Sequence, residues 1–225
     1  MLNDSKKSFA IWTLLLSVFV LSGCEREKVR SEHQTNRQND IQQQFNAWKA
    51  KQDPKLMEEY FQFISQYLIQ KPTKLEVMSN RNFMSKVCES ERFSIPPKKE
   101  WNNITGSLKL LNQLHQQNYF QRYTITAMYR SPTLNSCIKG AGKSKHLNHY
   151  AVDFHVLKPK ETNQKERENL VKSLCQFWKT EGKTLKMGLG VYGNNRYHID
   201  TQGYRTWGKD FKSKSSLCLS HSNSA

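Results

Sequence analysis

The sequence predicts an α+β protein built on a small, mainly antiparallel sheet with helices packed against it. Three observations predict it. Apolar residues recur at helical spacing through the first half of the chain and switch to alternation shortly after residue 120. The strands marked by that alternation are short and do not follow the regular βαβ rhythm of a parallel sheet. No unit of about 20 to 50 residues repeats, which excludes a solenoid or propeller.

At the N-terminus, Lys6 and Lys7 precede an apolar run from Phe9 to Leu21. The run is about 13 residues long, the length of a secretory signal rather than of a membrane span, which takes about 20. It closes in Leu21-Ser22-Gly23-Cys24, which resembles the bacterial lipobox, whose cysteine becomes the lipidated first residue of the mature protein. Residues 1–23 therefore read as a lipoprotein signal peptide and Cys24 as the lipidation site. The mature chain is expected outside the cytoplasm, lipid-anchored to a membrane of the cell envelope. Glu25 stands where an aspartate would favour retention in the inner membrane, so the expectation leans to the outer membrane. From Cys24 to about Asp40 the chain is polar and Gln/Asn-rich, and it reads as a flexible tether.

Lys and Arg outnumber Asp and Glu by 35 to 19, a net charge of +16. Such a charge attracts polyanions: nucleic acid, anionic lipid or acidic wall polymer. Export removes nucleic acid from the expected partners. An oxidising compartment also gives the remaining cysteines a role. Cys88, Cys137, Cys175 and Cys218 contain no close C-x-x-C pair, which argues against a thiolate metal cluster and for disulfides. Of the three pairings open to four cysteines, Cys88 with Cys137 and Cys175 with Cys218 is the expected one.

A helical region is expected over 41–94. Ile41, Phe45 and Trp48 recur at helical spacing, and after a helix start at Asp53-Pro54 so do Met57, Tyr60, Phe61, Ile64, Tyr67 and Leu68. This aromatic stripe reads as core. Residues 95–225 form the second expected domain. Within it Trp101 to Tyr119 reads as a helix with Leu108, Leu110, Leu111 and Leu114 on its apolar side. Strands are expected over Gln121–Tyr129, Tyr150–Leu157, Leu189–Tyr192 and Arg196–Thr201, with a helix from Lys160 to Thr180 ending at Gly182.

Two of these strands carry chemistry. In the strand after Tyr150, Val152, Phe154 and Val156 supply a buried face, which turns Asp153 to the other side together with Ala151 and His155. In the strand after Arg196, His198 and Asp200 stand two apart and share a face. His146 ends a Gly/Ser/Lys loop seven residues before Asp153. Two histidines and a carboxylate suffice for a zinc site that keeps a position open for water. Periodicity does not choose among His146, His149 and His155 as the first histidine. A structural salt bridge for Arg130 and a local turn for Ser144 stay open as well.

Tyr129-Arg130-Ser131-Pro132, Leu134-Asn135, Ser144-x-His146, Ala151, Asp153, Gly190-Val191-Tyr192, Tyr197-His198-Ile199-Asp200-Thr201 and Tyr204-Arg205-Thr206-Trp207-Gly208 occur in that order over roughly Ile95 to Trp207. In this set the chain resembles the zinc D-Ala-D-Ala carboxypeptidases and murein endopeptidases of peptidase family M15. The resemblance implies a zinc DD-peptidase or Hedgehog-like fold and a zinc ion held by His146, Asp153 and His198. It also implies that Arg130 meets a substrate carboxylate or the developing oxyanion, and that Ser144 and Tyr192 bind substrate. The substrate implied is peptidoglycan: a terminal D-Ala-D-Ala bond, or a DD or LD bond in a stem peptide or cross-link. A non-catalytic lipoprotein that binds peptidoglycan or another polyanion is the alternative.

The chain departs from the family pattern at two positions. Many members have glycine three residues after the first ligand histidine, where this chain has His149, so the cleft mouth is expected to be narrower or to carry an extra titrating group. Several also place Glu or Asp three residues before the last histidine, where this chain has Asn195; the acid/base role is therefore expected of Asp200.

Overall fold

The computed structural model describes residue 36 and residues 38–81, 86–157 and 164–220. The expected signal peptide, lipidation site Cys24 and most of the tether lie outside them. A helix, α1, spans 38–49, with Phe45 and Trp48 stacked along it at 5.8 Å. Residues up to Lys51 and residues from Gln52 fall into two compact units, so the helices that follow α1 share a unit with the sheet. No helix among the described residues is long and apolar enough to cross a membrane.

From Gln52 the order begins with α2 (Pro54–Ser65) and α3 (Lys74–Met78). Asp53 caps α2, its carboxylate accepting from the Lys55 N–H at 2.9 Å, and Pro54 opens the first turn, where its missing donor costs nothing. Met57, Tyr60 and Ile64 form the buried side of α2 as the spacing requires. Helix α3 has no counterpart in the sequence reading; a reciprocal capping box between Thr73 and Glu76 starts it. Glu76 also reaches the edge of the sheet and accepts from the N–H of Ile125 at 3.2 Å.

A 3₁₀ turn over Lys98–Ile104 leads into α4 (Thr105–Gln116), which buries Leu108, Leu110, Leu111 and Leu114. The helix expected from Trp101 therefore begins with a tighter turn. Then follow β1 (Arg122–Ala127), α5 (Pro132–Cys137), β2 (Ala151–Leu157), α6 (Gln164–Thr180), β3 (Gly188–Tyr192), β4 (Arg196–Asp200), β5 (Arg205–Trp207) and α7 (Leu217–Ser220). The strands form one sheet in the order β1-β2-β4-β3-β5. The first three pairings are antiparallel and β3 with β5 is parallel, so the sheet is mixed and mainly antiparallel as expected. The sequence reading missed β5 because three residues are too few to show alternation.

One face of the sheet is apolar: Val152, Phe154, Val156, Leu189, Tyr197 and Ile199 are all buried on it. The two expected disulfides are both present. Cys88–Cys137 ties the end of α5 to the 3₁₀ turn Lys86–Glu91, and Cys175–Cys218 ties α6 to α7.

Candidate metal centre

The other face of the sheet carries the site, and strand register explains why. Asp153 of β2 stands opposite His198 of β4, and His198 opposite Gly190 of β3, which pairs with Trp207 of β5. Two residues along, Ala151, Asp200, Gly188 and Arg205 form a second row on the same face. The glycines in β3 are clearances. A Cβ on Gly190 would lie 2.8 Å from the Trp207 ring and 3.0 Å from the His198 Cβ; one on Gly188 would lie 2.5 Å from Asp200 Oδ2. Only a strand without side chains there lets Trp207 reach His198, their rings 4.9 Å apart, and Arg205 reach Asp200.

His146 joins this face from the loop between α5 and β2. Its carbonyl accepts from the Arg130 N–H at 3.1 Å and from the His149 N–H at 3.2 Å. His146, Asp153 and His198 are 3%, 6% and 5% exposed and offer ligand atoms that all lie within 4.8 Å of one another. His146 Nε2 stands 3.2 Å from Asp153 Oδ1 and 3.2 Å from His198 Nδ1, and His198 Nδ1 stands 2.8 Å from Asp153 Oδ1.

The protons on these rings are fixed from behind. His146 Nδ1–H donates to the Met128 carbonyl at 2.7 Å, and His198 Nε2–H donates to Asp200 Oδ2 at 2.9 Å. In the neutral rings His146 Nε2 and His198 Nδ1 are thereby left with lone pairs, and both face a carboxylate oxygen. Three acceptors that close repel one another unless a cation or a shared proton lies between them. Two ligands each about 2.1 Å from a tetrahedral zinc ion stand roughly 3.4 Å apart, so spacings near 3 Å suit that ion. The donor set, two imidazoles and one carboxylate with ring protons directed outward, could hold a metal ion. The same contacts shape the charges. Burial works against ionisation of Asp153, but His146 and His198 outweigh it and hold its carboxyl well below the usual range. Burial likewise opposes protonation of His198, and Asp153 and Asp200 outweigh it and push its pKa up.

Asp200 needs correcting as the expected acid/base. It is 0% exposed, and Arg205 clamps both its oxygens, at 3.0 Å to Oδ1 and 2.6 Å to Oδ2. The Gln202 N–H also donates to Oδ1 at 2.8 Å. With its lone pairs committed behind His198, it is placed to orient that ring and not to receive a proton in front of it. His149 also differs from expectation. It lies nowhere on a cleft mouth: it is 0% exposed and paired through Nε2 with the Tyr60 hydroxyl of α2 at 2.9 Å. Burial pushes its pKa down to about 3, so it stays neutral. Its φ of +57° explains the family's glycine, since this left-handed position costs a side-chain-bearing residue free energy that glycine does not lose. His155, the third candidate, is half-buried two positions farther along β2, opposite Arg196.

The remaining expected residues surround the triad. Arg130 is partly buried near Asp153, whose charge favours the guanidinium against the burial that lowers its pKa. Its Nη1 reaches Asn135 Oδ1 at 3.4 Å, and its buried Nε has no hydrogen-bond partner among the described residues. Tyr192 shares the site face of β3 and accepts from Trp207 Nε1–H at 2.9 Å. Ser144 is half-buried on the loop two residues before His146, its N–H bonded to the Ala141 carbonyl at 3.0 Å. Asn195 sits in the turn between β3 and β4, its carbonyl accepting from the Val156 N–H. Sequence reasoning assigned no role to Gly188, Gly190, Arg205, Trp207 or Tyr60. Gly190, Arg205 and Trp207 stand in the family motifs without a stated role, and the two glycines at i, i+2 in a short strand are a further signal.

A family model described as Peptidase M15 matches residues 80–200. No curated protein and no solved structure matches the chain.

Proposed function

Because this chain belongs to the peptidase M15 family, we propose that it is a zinc peptidase of peptidoglycan, hydrolysing a D-amino-acid bond in the stem peptide or cross-link. The observation that carries the reading is the convergence of His146 Nε2, His198 Nδ1 and Asp153 Oδ1 with both ring protons turned away. Zinc held there would polarise a carbonyl and bring the pKa of its water toward neutrality. The chain's own residues do the rest. The Met128 carbonyl and Asp200 fix the two imidazole tautomers, and Arg205 keeps Asp200 ionised and in place. Arg130, with an unpartnered Nε beside Asp153, offers its donors to a substrate carboxylate or to the oxyanion of the scissile carbonyl. Ser144 contributes a hydroxyl for the substrate backbone.

The setting belongs to the same proposal. A chain of net charge +16, anchored through a lipid on Cys24 and facing the periplasm from the outer membrane, would meet an anionic wall network at short range. A second reading is supported by Asp200 and Asn195. With Asp200 committed behind His198 and Asn195 in a turn, neither supplies a proton acceptor, which favours a wall-binding lipoprotein that does no hydrolysis. One experiment separates the two. A defined cross-linked muropeptide incubated with the protein and resolved by mass should give a hydrolysis product that chelator abolishes and zinc restores. Unchanged masses with retained binding would leave the wall-binding reading.

A further inference from the structure

We infer that Tyr192 is a catalytic residue: its hydroxyl donates a hydrogen bond to the scissile carbonyl oxygen as that oxygen gains charge, completing an oxyanion site with Arg130. The assignment rests on the peptidase reading and gives that site a second donor.

Gly190 and Tyr192 alternate onto the same face of β3, the face that carries His198 and Asp153. Gly190 leaves room for Trp207 to lie against His198, and Trp207 Nε1–H donates to the Tyr192 oxygen at 2.9 Å. The hydroxyl is thus held beside the triad by a partner that can only donate. An indole N–H bonded to a phenol oxygen fills one of its lone pairs and leaves its own O–H unspent. No acceptor among the described residues takes that proton. Phe211, itself largely exposed, lies against the tyrosine ring with centroids 5.4 Å apart.

The charges nearby agree. Asp153 and Arg130 both lie close enough to act electrostatically on the Tyr192 hydroxyl. Burial, reinforced by Asp153, raises the phenol pKa, so the proton stays on oxygen at any pH at which the enzyme would work. That suits a hydrogen-bond donor and excludes a phenolate base. Arg130 adds a buried Nε with no hydrogen-bond partner among the described residues, within electrostatic reach of Asp153 and Tyr192. Two donors with no acceptor, one charged and one neutral, are what a carbonyl oxygen turning into an oxyanion requires. No proton changes owner in this role; the hydrogen bond strengthens as the carbonyl carbon becomes tetrahedral.

The test compares zinc-loaded wild-type protein, Tyr192→Phe and Trp207→Phe on a muropeptide that the wild type cleaves. It reads kcat, KM, zinc affinity and the affinity for a phosphinate dipeptide analogue, which carries a tetrahedral anion. Tyr192→Phe should lower kcat about 100-fold, with KM within about threefold, and weaken the phosphinate in the same proportion. Zinc affinity should not change, whereas a tyrosine that merely propped Trp207 against His198 would change it. Trp207→Phe should lower kcat less, because the hydroxyl remains but loses its orienting partner. A Tyr192→Phe kcat within threefold of wild type, a loss carried by KM, or a loss that follows zinc affinity would overturn the assignment alone. A wild type that cleaves nothing would overturn the peptidase reading and this assignment with it.

Discussion

The two histidines of the His-Asp-His group are held in different ways. His198 lies in a strand, and the side chains that orient it are charged or aromatic: Asp200 behind it on the same strand, and from β5 Arg205 behind Asp200 and Trp207 against its ring. His146 lies in a loop, held by backbone: the Met128 carbonyl takes its ring proton, and its own carbonyl accepts from Arg130 and His149. That loop is pinned from a distance. Tyr60 of α2 reaches His149, Ser107 of α4 donates to the Tyr150 carbonyl at 2.6 Å, and Asn103 donates to the Asn148 carbonyl at 3.0 Å. The difference teaches where each half is vulnerable. The His198 half depends on a few side chains whose loss strands a buried charge; the His146 half spreads its support over many neutral contacts.

The largest effect should therefore come from Asp200. Asp200→Leu should weaken zinc binding by about 10- to 100-fold, the usual consequence of losing a carboxylate behind a ligand histidine. It should also destabilise the fold by about 3 kcal/mol, the low end for breaking a buried ion pair, because Arg205 is partly exposed to water. Zinc titration and urea unfolding measure the two. Gly190→Val comes next. Its side chain needs the space occupied by Trp207 and the His198 Cβ, so about 1 to 3 kcal/mol should be lost to overpacking, with displacement of Trp207 visible in its fluorescence.

Tyr60→Phe removes one buried hydrogen bond and should cost about 1 to 2 kcal/mol while changing zinc affinity less than Asp200→Leu does. A larger loss of zinc affinity from Tyr60→Phe than from Asp200→Leu would invert the comparison. His149 adds a pH dependence that is absent near neutrality and grows in acid. His149 has a folded pKa of about 3, below its unfolded value of about 6.5. The unfolded chain therefore binds the proton first, so stability from this group is complete above about pH 6.5 and declines as pH falls toward 3. His149→Gln should flatten the unfolding free energy over that range when it is followed by denaturant titration.

The same contrast explains what could be read from sequence. The His198 half follows a period of two: alternation placed Asp153 away from Val152, Phe154 and Val156, and His198 beside Asp200, and the strands carry them there. The His146 half has no period. Spacing left His146, His149 and His155 as rivals, and only the family motif chose among them; the structure brings His146 to Asp153 and buries His149 against Tyr60. The aromatic stripe of α2 was legible as core, but not that one of its rings supports the His146 loop, because that contact joins residues 89 apart. Asp200 was misjudged for a related reason. Two residues on a shared face predict proximity and not which side of a ring the carboxylate takes, and Arg205 on an unrecognised three-residue strand settles that.

On the proposed reading His146, Asp153 and His198 together hold one zinc ion. Metal analysis of the purified protein, stripped with chelator, reloaded with zinc and freed of excess, tests it most directly. The expected result is about one zinc per chain, with a rise in unfolding temperature on loading and loss of both in His198→Ala and His146→Ala. A wild-type chain that retains no zinc, or variants that retain it fully, would contradict it.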